Sequence, residues 1–226
     1  MTSSISVICP AWQAARTLPE TLGSIRAQSL VPTEILVVDD GSTDSTAEIA
    51  EASGAHVIRQ THRGAAAALN TGIAASSGQL LAFVDADDLW TPEKLASQTQ
   101  ALSTDPKLGG VLGMMESFLC PSLPVEIASR YPLSGKPQPA WVLGSLLTPK
   151  KTFATVGALA EDMAAGFIAD WFDRARYAGV RFAVLDQIVL RRRIHTGTLS
   201  HRSTARDSGY TLLARRALLR RRPERG

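Results

Sequence analysis

The run Phe83-Val84-Asp85-Ala86-Asp87-Asp88-Leu89-Trp90 sets three carboxylates at the end of an apolar segment, Leu80 to Val84. Apolar residues followed at once by acids describe a strand leaving a core into a polar site. Adjacent carboxylates repel one another and call for a cation. Hard oxygen ligands suit Mg²⁺ or Mn²⁺, held by one or two carboxylates together with phosphate oxygens. Asp85 and Asp87 are the candidate pair. The same letters also fit a plain acidic strand-to-helix turn, in which Thr91 caps a helix with Pro92 at its first position.

The elements that must position these acids follow a regular order. Ile5-Ser-Val-Ile-Cys9 reads as a strand, and Thr17-Leu-Pro-Glu20 as a capping box opening a helix to about Gln28. Glu34-Ile-Leu-Val-Val38 is a buried strand ending in Asp39-Asp40-Gly41. A second capping box, Ser45-Thr-Ala-Glu48, starts the next helix. His56-Val-Ile-Arg59 is a short strand, an alanine-rich helix spans about Gly64 to Ala75, and Gln79–Val84 forms the fourth strand. This alternation predicts an α/β fold whose mostly parallel central sheet carries helices on both faces. In such sheets ligands bind outside the carboxyl ends of the strands. Gly109–Leu119 suggests another strand, and proline-rich Cys120–Pro139 a loop on the acceptor side. Asp162–Tyr177 reads as one helix, interrupted or begun near Gly166. Arg181–Leu185 and Ile188–Arg193 read as two short strands.

Composition narrows the class. With 226 residues, 45% hydrophobic and 20% charged, the chain is expected to fold as one large domain, with or without a tail. Apolar runs fall short of a membrane span, and the N-terminus lacks the pattern of a signal peptide. Cys9 and Cys120 fit neither a disulfide framework nor a zinc site, so the cytoplasm is the expected compartment. The net charge of +3 hides an asymmetry: residues 191–226 hold eleven arginines and two acids, a net +9, which leaves −6 for the other 190 residues. The overall basic balance is therefore no argument that the body binds polyanions.

Four strand ends point at one crevice, and each offers chemistry suited to a nucleotide diphosphate. Pro10 and Trp12 follow the first strand, where Trp12 could stack on a base or cover a sugar. Asp40 follows the second and could accept from a base N–H or a ribose hydroxyl. After the third, Arg63 could reach phosphate, with His62 beside it. After the fourth, Asp85 and Asp87 could hold the neutralising metal.

At this point the chain resembles the inverting family 2 glycosyltransferases of GT-A fold. The resemblance rests on Ile5-Ser-Val-Ile-Cys-Pro10, on Glu34-Ile-Leu-Val-Val-Asp-Asp-Gly-Ser-Thr-Asp44, on Arg63-Gly64 with Asn70-Thr-Gly72, and on Leu81-Ala-Phe-Val-Asp-Ala-Asp-Asp-Leu-Trp90. It implies that Asp40 contacts the base, that Asp85 lies near the ribose or metal and that Asp87 ligates the metal. Asp39 is then structural and Asp44 a cap or turn residue. It further implies a GT-A domain over 1–200, with a donor-binding half (1–105) and an acceptor half (106–200), followed by a basic tail (201–226).

Downstream, Arg191-Arg-Arg-Ile-His195-Thr-Gly-Thr-Leu-Ser200 resembles the element closing many family 2 domains, with Arg193 expected on phosphate and His195 on the metal. The chain also departs from the family. Ala11 precedes Trp12 where Tyr-Asn or Phe-Asn is common, and Leu69 stands where arginine is common. Phe167-Ile168 replaces the Glu-Asp pair whose aspartate serves as general base. Asp170 is the expected substitute, with Asp173 and Glu161-Asp162 as alternatives.

Two readings follow. The first is a metal-dependent inverting glycosyltransferase using Mn²⁺ or Mg²⁺, a UDP-sugar donor and a saccharide, lipid-linked or peptide acceptor. The second is a non-catalytic sugar-nucleotide-binding regulatory or scaffold protein. The leucine–arginine pattern of the tail would suit peripheral contact at the inner face of the membrane. Nucleic acid is not expected as a partner, because no aromatic platform accompanies the arginines.

Overall fold

The computed structural model describes residues 4–196 apart from 132 and 134, together with 212 and 216. The strands are β1 (Ile5–Ala11), β2 (Glu34–Asp39), β3 (His56–Arg59), β4 (Leu80–Phe83), β5 (Leu89–Trp90), β6 (Gly110–Leu119), β7 (Gln138–Pro139), β8 (Leu147–Pro149) and β9 (Phe182–Ile194). The helices are α1 (Leu18–Arg26), α2 (Thr46–Ala52), α3 (Ala65–Ala75), α4 (Lys94–Thr104), α5 (Val125–Ala128), α6 (Lys150–Val156) and α7 (Phe167–Tyr177).

One sheet runs in the order β3-β2-β1-β4-β8-β6-β9-β5, with β7 paired to β6. β1 to β4 are mutually parallel, β6 and β9 share their direction, and β5, β7 and β8 run against it. The expected mostly parallel sheet is thus present, with antiparallel strands confined to the second half. The chain builds outward from β1 to β3 and then returns to place β4 on the other side of β1. That reversal between β1 and β4 is where such sheets open a crevice.

Side-chain alternation along the strands fills two cores, one on each face. Val7, Cys9 and Val37 pack on one face with Leu18, Leu22 and Ile25 of α1 and Leu95 and Leu102 of α4. Ile8, Leu36, Leu81 and Phe83 pack on the other with Leu69 of α3, Phe153 of α6 and Trp171 and Phe172 of α7. The alanine-rich α3 lies close on β1. A Cβ on Gly72 would sit 2.5 Å from Ile8 Cγ2 and 3.2 Å from Val38 Cγ2, so glycine sets that approach.

Several local expectations are revised. Neither capping box forms: Thr17 and Ser45 make no side-chain cap bond. Asp44 caps α2 instead, accepting from Thr46 N at 3.1 Å. Thr91 does not cap α4, which begins three residues later at Lys94. Its hydroxyl donates to Ile188 O at 2.7 Å. The two short strands expected near 181–193 are one thirteen-residue strand, β9, whose register against β6 shifts between Leu112 and Met115. The loop expected over Cys120–Pro139 contains α5 and β7. Among the described residues no helix is long and apolar enough to cross a membrane.

The Gly72 contact gives a direct test of this packing. Gly72→Ala forces a methyl into the buried Ile8 side chain and is expected to lower unfolding stability by about 1–3 kcal/mol, read from urea denaturation.

Candidate functional site

The acidic turn follows directly from β4. Carboxylate oxygens of Asp85, Asp87 and Asp88 all lie within 4.8 Å of one another. Asp85 is exposed, Asp87 half-buried and Asp88 buried. The turn closes through Asp88 N donating to Asp85 O at 3.0 Å. Crowding by the surrounding protein pushes the Asp85 carboxyl up to about 6. The Asp87 charge adds to this, and Arg192 draws it back. Asp85 itself meets solvent, so the rise reflects the bulk of protein around it and not a sealed pocket. Burial, followed by Asp85 and Asp87, holds the Asp88 carboxyl well above the usual carboxylate range.

Two distant elements fasten this turn. From α1, Thr21 Oγ1 donates to Asp88 O at 2.8 Å and Ala86 O at 3.1 Å. From β9, Arg193 donates its amide to Asp88 Oδ1 (2.9 Å), its Nε to Asp87 O (2.9 Å) and an NH2 to Glu20 Oε2 (2.5 Å). Its guanidinium also lies 4.8 Å from the Phe118 ring centroid, and the residue is 4% exposed. Arg193, expected on phosphate, here spends its amide, its Nε and one terminal nitrogen on the turn and on Glu20. The charge that acts on Asp85 and Asp88 from this strand is that of Arg192.

His195, just beyond β9, brings Nε2 to 2.8 Å from Asp87 Oδ2, and that hydrogen bond raises the imidazole's pKa. The two residues expected on a metal thus stand together. Three carboxylates in mutual repulsion with an adjacent imidazole form a donor set that fits a hard divalent cation.

The second corner of the crevice is built on Asp40. Its buried carboxylate accepts from Gln60 Nε2 (2.7 Å) and the amides of Arg63 (2.9 Å) and Gly64 (2.8 Å), and it pairs with His62 Nδ1 (2.9 Å). Gly64, at φ +92°, allows the chain to turn into α3 with both amides aimed at Asp40. Trp12 stands 45% exposed beyond β1, its ring against His62 with centroids 4.8 Å apart. Pro10 lies within β1, paired with Val38. Asp39 is buried and accepts from Ser42 N at 3.2 Å.

Arg63 reaches away to Glu161 Oε2 at 2.7 Å. Asn70 binds the same carboxylate and both backbone groups of Leu159, so α3 anchors the loop before α7. Asp162 pairs with Arg216 at 2.6 Å, and Asp173 with Arg176 at 3.2 Å.

Asp170, the residue expected as general base, lies within the packing of α7. It is 1% exposed, in the first turn of α7, and pairs with Arg174 Nε at 2.9 Å. Arg174 in turn donates to Val156 O and Ala158 O. The pair ties α7 to the end of α6, and a base must reach an acceptor hydroxyl. Phe167 and Ile168, where the acid pair was expected, pack against the core of that face.

Sequence reasoning missed Glu20, Thr21 and the structural use of Arg193. Glu20 was legible only as a capping-box partner. The i,i+4 spacing of Asp170 and Arg174 was a readable signal of an ion pair.

An α/β fold with an acidic, cation-seeking turn at its switch point defines the class. The chain belongs to glycosyl transferase family 2, whose model matches residues 6–124. An uncharacterized glycosyltransferase of Nostoc sp. is 36% identical over 111 residues, covering 46% of this chain and 34% of that protein. The Escherichia coli UDP-Glc:alpha-D-GlcNAc-diphosphoundecaprenol beta-1,3-glucosyltransferase WfgD is 36% identical over 98 residues, 42% of this chain and 39% of that protein. The chain thus spans well under half the length of these relatives. Among solved structures, the mannosyltransferase PcManGT from Pyrobaculum calidifontis, in complex with GDP-Man and Mn²⁺, superposes with a TM-score of 0.74 at 19% identity. It covers 96% of this chain and 65% of that one. TarS from S. aureus in complex with UDP-GlcNAc gives 0.70 at 20% identity, covering 86% and 59%. The fold is GT-A.

Two predictions follow from the geometry. The raised Asp85 pKa means that its ionisation opposes folding. This site's contribution is fully present at low pH and is lost as pH rises through about 6. In chelator, Asp85→Asn should therefore melt higher than the parent at pH 7.5, with the gap closing below pH 5. Asp170→Ala leaves Arg174 unpaired and should cost roughly 2–4 kcal/mol of stability, measured by chemical denaturation.

Proposed function

We propose that the protein is a metal-dependent inverting glycosyltransferase that moves a sugar from a nucleotide-diphospho-sugar to an acceptor hydroxyl. The observation that carries this reading is the Asp85-Asp87-Asp88 cluster with His195 beside it, at the strand reversal between β1 and β4. Asp85, Asp87 and His195 would hold Mn²⁺ or Mg²⁺, with Asp88 beneath them. When bound, the ion supplies Lewis-acid stabilisation of the departing diphosphate.

The remaining work falls to the chain. Trp12 offers an exposed face for the base, and Pro10 lines the same end of β1. Asp40 accepts from the base edge once one of its present partners gives way, because four donors already fill its lone-pair positions. Arg63 is half-exposed and exchanges Glu161 for a phosphate oxygen, while Arg192 adds positive potential over the acids. Arg193 positions the acidic turn. The domain comprises 1–200, with the donor half in 1–105.

The donor class is supported by the GDP-Man and UDP-GlcNAc complexes of the structural neighbours, and UDP is our choice of nucleotide. The E. coli relative's diphosphoundecaprenol acceptor supports a saccharide or lipid-linked acceptor, with a peptide as the remaining class. We place the protein in the cytoplasm, with the tail at the inner face of the membrane; within that tail Arg216 is engaged by Asp162.

A second reading, a sugar-nucleotide-binding protein without transfer activity, is favoured by the burial of Asp170 and by Phe167-Ile168 at the start of α7. Incubation with UDP-sugars and Mn²⁺ separates the two. Diphosphate release, including slow hydrolysis, is expected of the enzyme, whereas tight binding with no turnover across varied acceptors identifies the binder.

Asp87→Ala is expected to abolish Mn²⁺-dependent stabilisation by UDP-sugars in thermal-shift assays while the protein remains folded, since a ligand raises the melting temperature only if it binds the native state. Undiminished stabilisation in that variant would refute the metal assignment.

A further inference from the structure

Of the four partners on Asp40, His62 differs in kind. Gln60 and the amides of Arg63 and Gly64 belong to the turn that Asp40 caps into α3, whereas the His62 side chain is 55% exposed. Its Nδ1 stands 2.9 Å from Asp40 Oδ2 and 3.1 Å from Asp40 O. Its ring lies against Trp12, centroids 4.8 Å apart and planes inclined by 31°. A nitrogen heterocycle thus presents an edge N–H to a buried carboxylate and a face to an exposed indole. Those are the two contacts that a nucleobase carrying a ring N–H would make at this corner.

We propose that His62 is a built-in stand-in for the base of the donor. It occupies the base position on Asp40 and Trp12, must swing aside for the donor to enter, and so sets the affinity for the nucleoside. The proposal rests on the glycosyltransferase reading given above. The swing is open to the side chain: both rings face solvent, so little apolar area is lost from contact. Asp40 Oδ2 keeps the Gly64 amide throughout, and the incoming base N–H replaces the imidazole on the remaining lone pair. A site competent in only part of its population binds its ligand more weakly by that fraction.

The test compares UDP with inorganic pyrophosphate, which lacks a base, by calorimetric titration in the presence of Mg²⁺. With His62 holding the site closed in about two thirds of molecules or more, His62→Ala is expected to bind UDP at least about threefold more tightly than the parent, with pyrophosphate affinity unchanged. His62→Phe, which keeps a ring against Trp12 but has no N–H for Asp40, should fall between the two. Unchanged or weaker UDP binding by His62→Ala overturns the proposal, as does a parallel gain for pyrophosphate. A parent protein that binds neither UDP nor pyrophosphate overturns the glycosyltransferase reading beneath it.

Discussion

Three carboxylates within 4.8 Å of one another do not stay together unaided. At that separation each pair repels by roughly 3 kcal/mol at an effective dielectric constant of about 20, less where water screens it. The fold answers with a brace drawn from both ends of the chain. Thr21 holds two carbonyls of the turn, and Arg193 threads beneath it to Glu20, Asp87 and Asp88. Short β5, coming straight out of the turn, pairs with β9 and fixes the angle at which that arginine arrives. The sheet's second half therefore acts as the clamp that makes the first half's acid cluster tenable.

This division explains what could be read from the sequence. The strands and helices of the first hundred residues are local patterns, and so are the acids at their ends; their placement by the sheet adds little that the letters had not implied. The clamp is different in kind. Arg193 and Glu20 lie 173 residues apart, and nothing in either neighbourhood names the other. Two-residue β5 is too short to carry a periodicity. The capping boxes failed because better partners stood nearby: Asp44 serves α2, and Glu20 is drawn to Arg193. The burial of Asp170 could not be read from acid spacing, because the packing of α7 onto α6 decides it.

The likenesses to other proteins divide along the same line. The family model matches residues 6–124, while the fold superposes over 96% of the chain. The sheet is common architecture. The start of α7, closed by Phe167 and Ile168, lies beyond the residues that the family model matches.

The capping of α3 by Asp40 carries a wider consequence. A helix N-terminus is a ready anion receptor, because its free amides and dipole favour negative charge. At α2 and α3 those amides are already answered by carboxylates. Asp40 takes the Arg63 and Gly64 amides before α3, and Asp44 takes the Thr46 amide at the start of α2. At these two helix ends the amides are not left open for phosphate. An anion entering this crevice must find its countercharge in a cation or in arginine, and its hold on the protein will track divalent-ion concentration more steeply than in folds that cradle phosphate with amides.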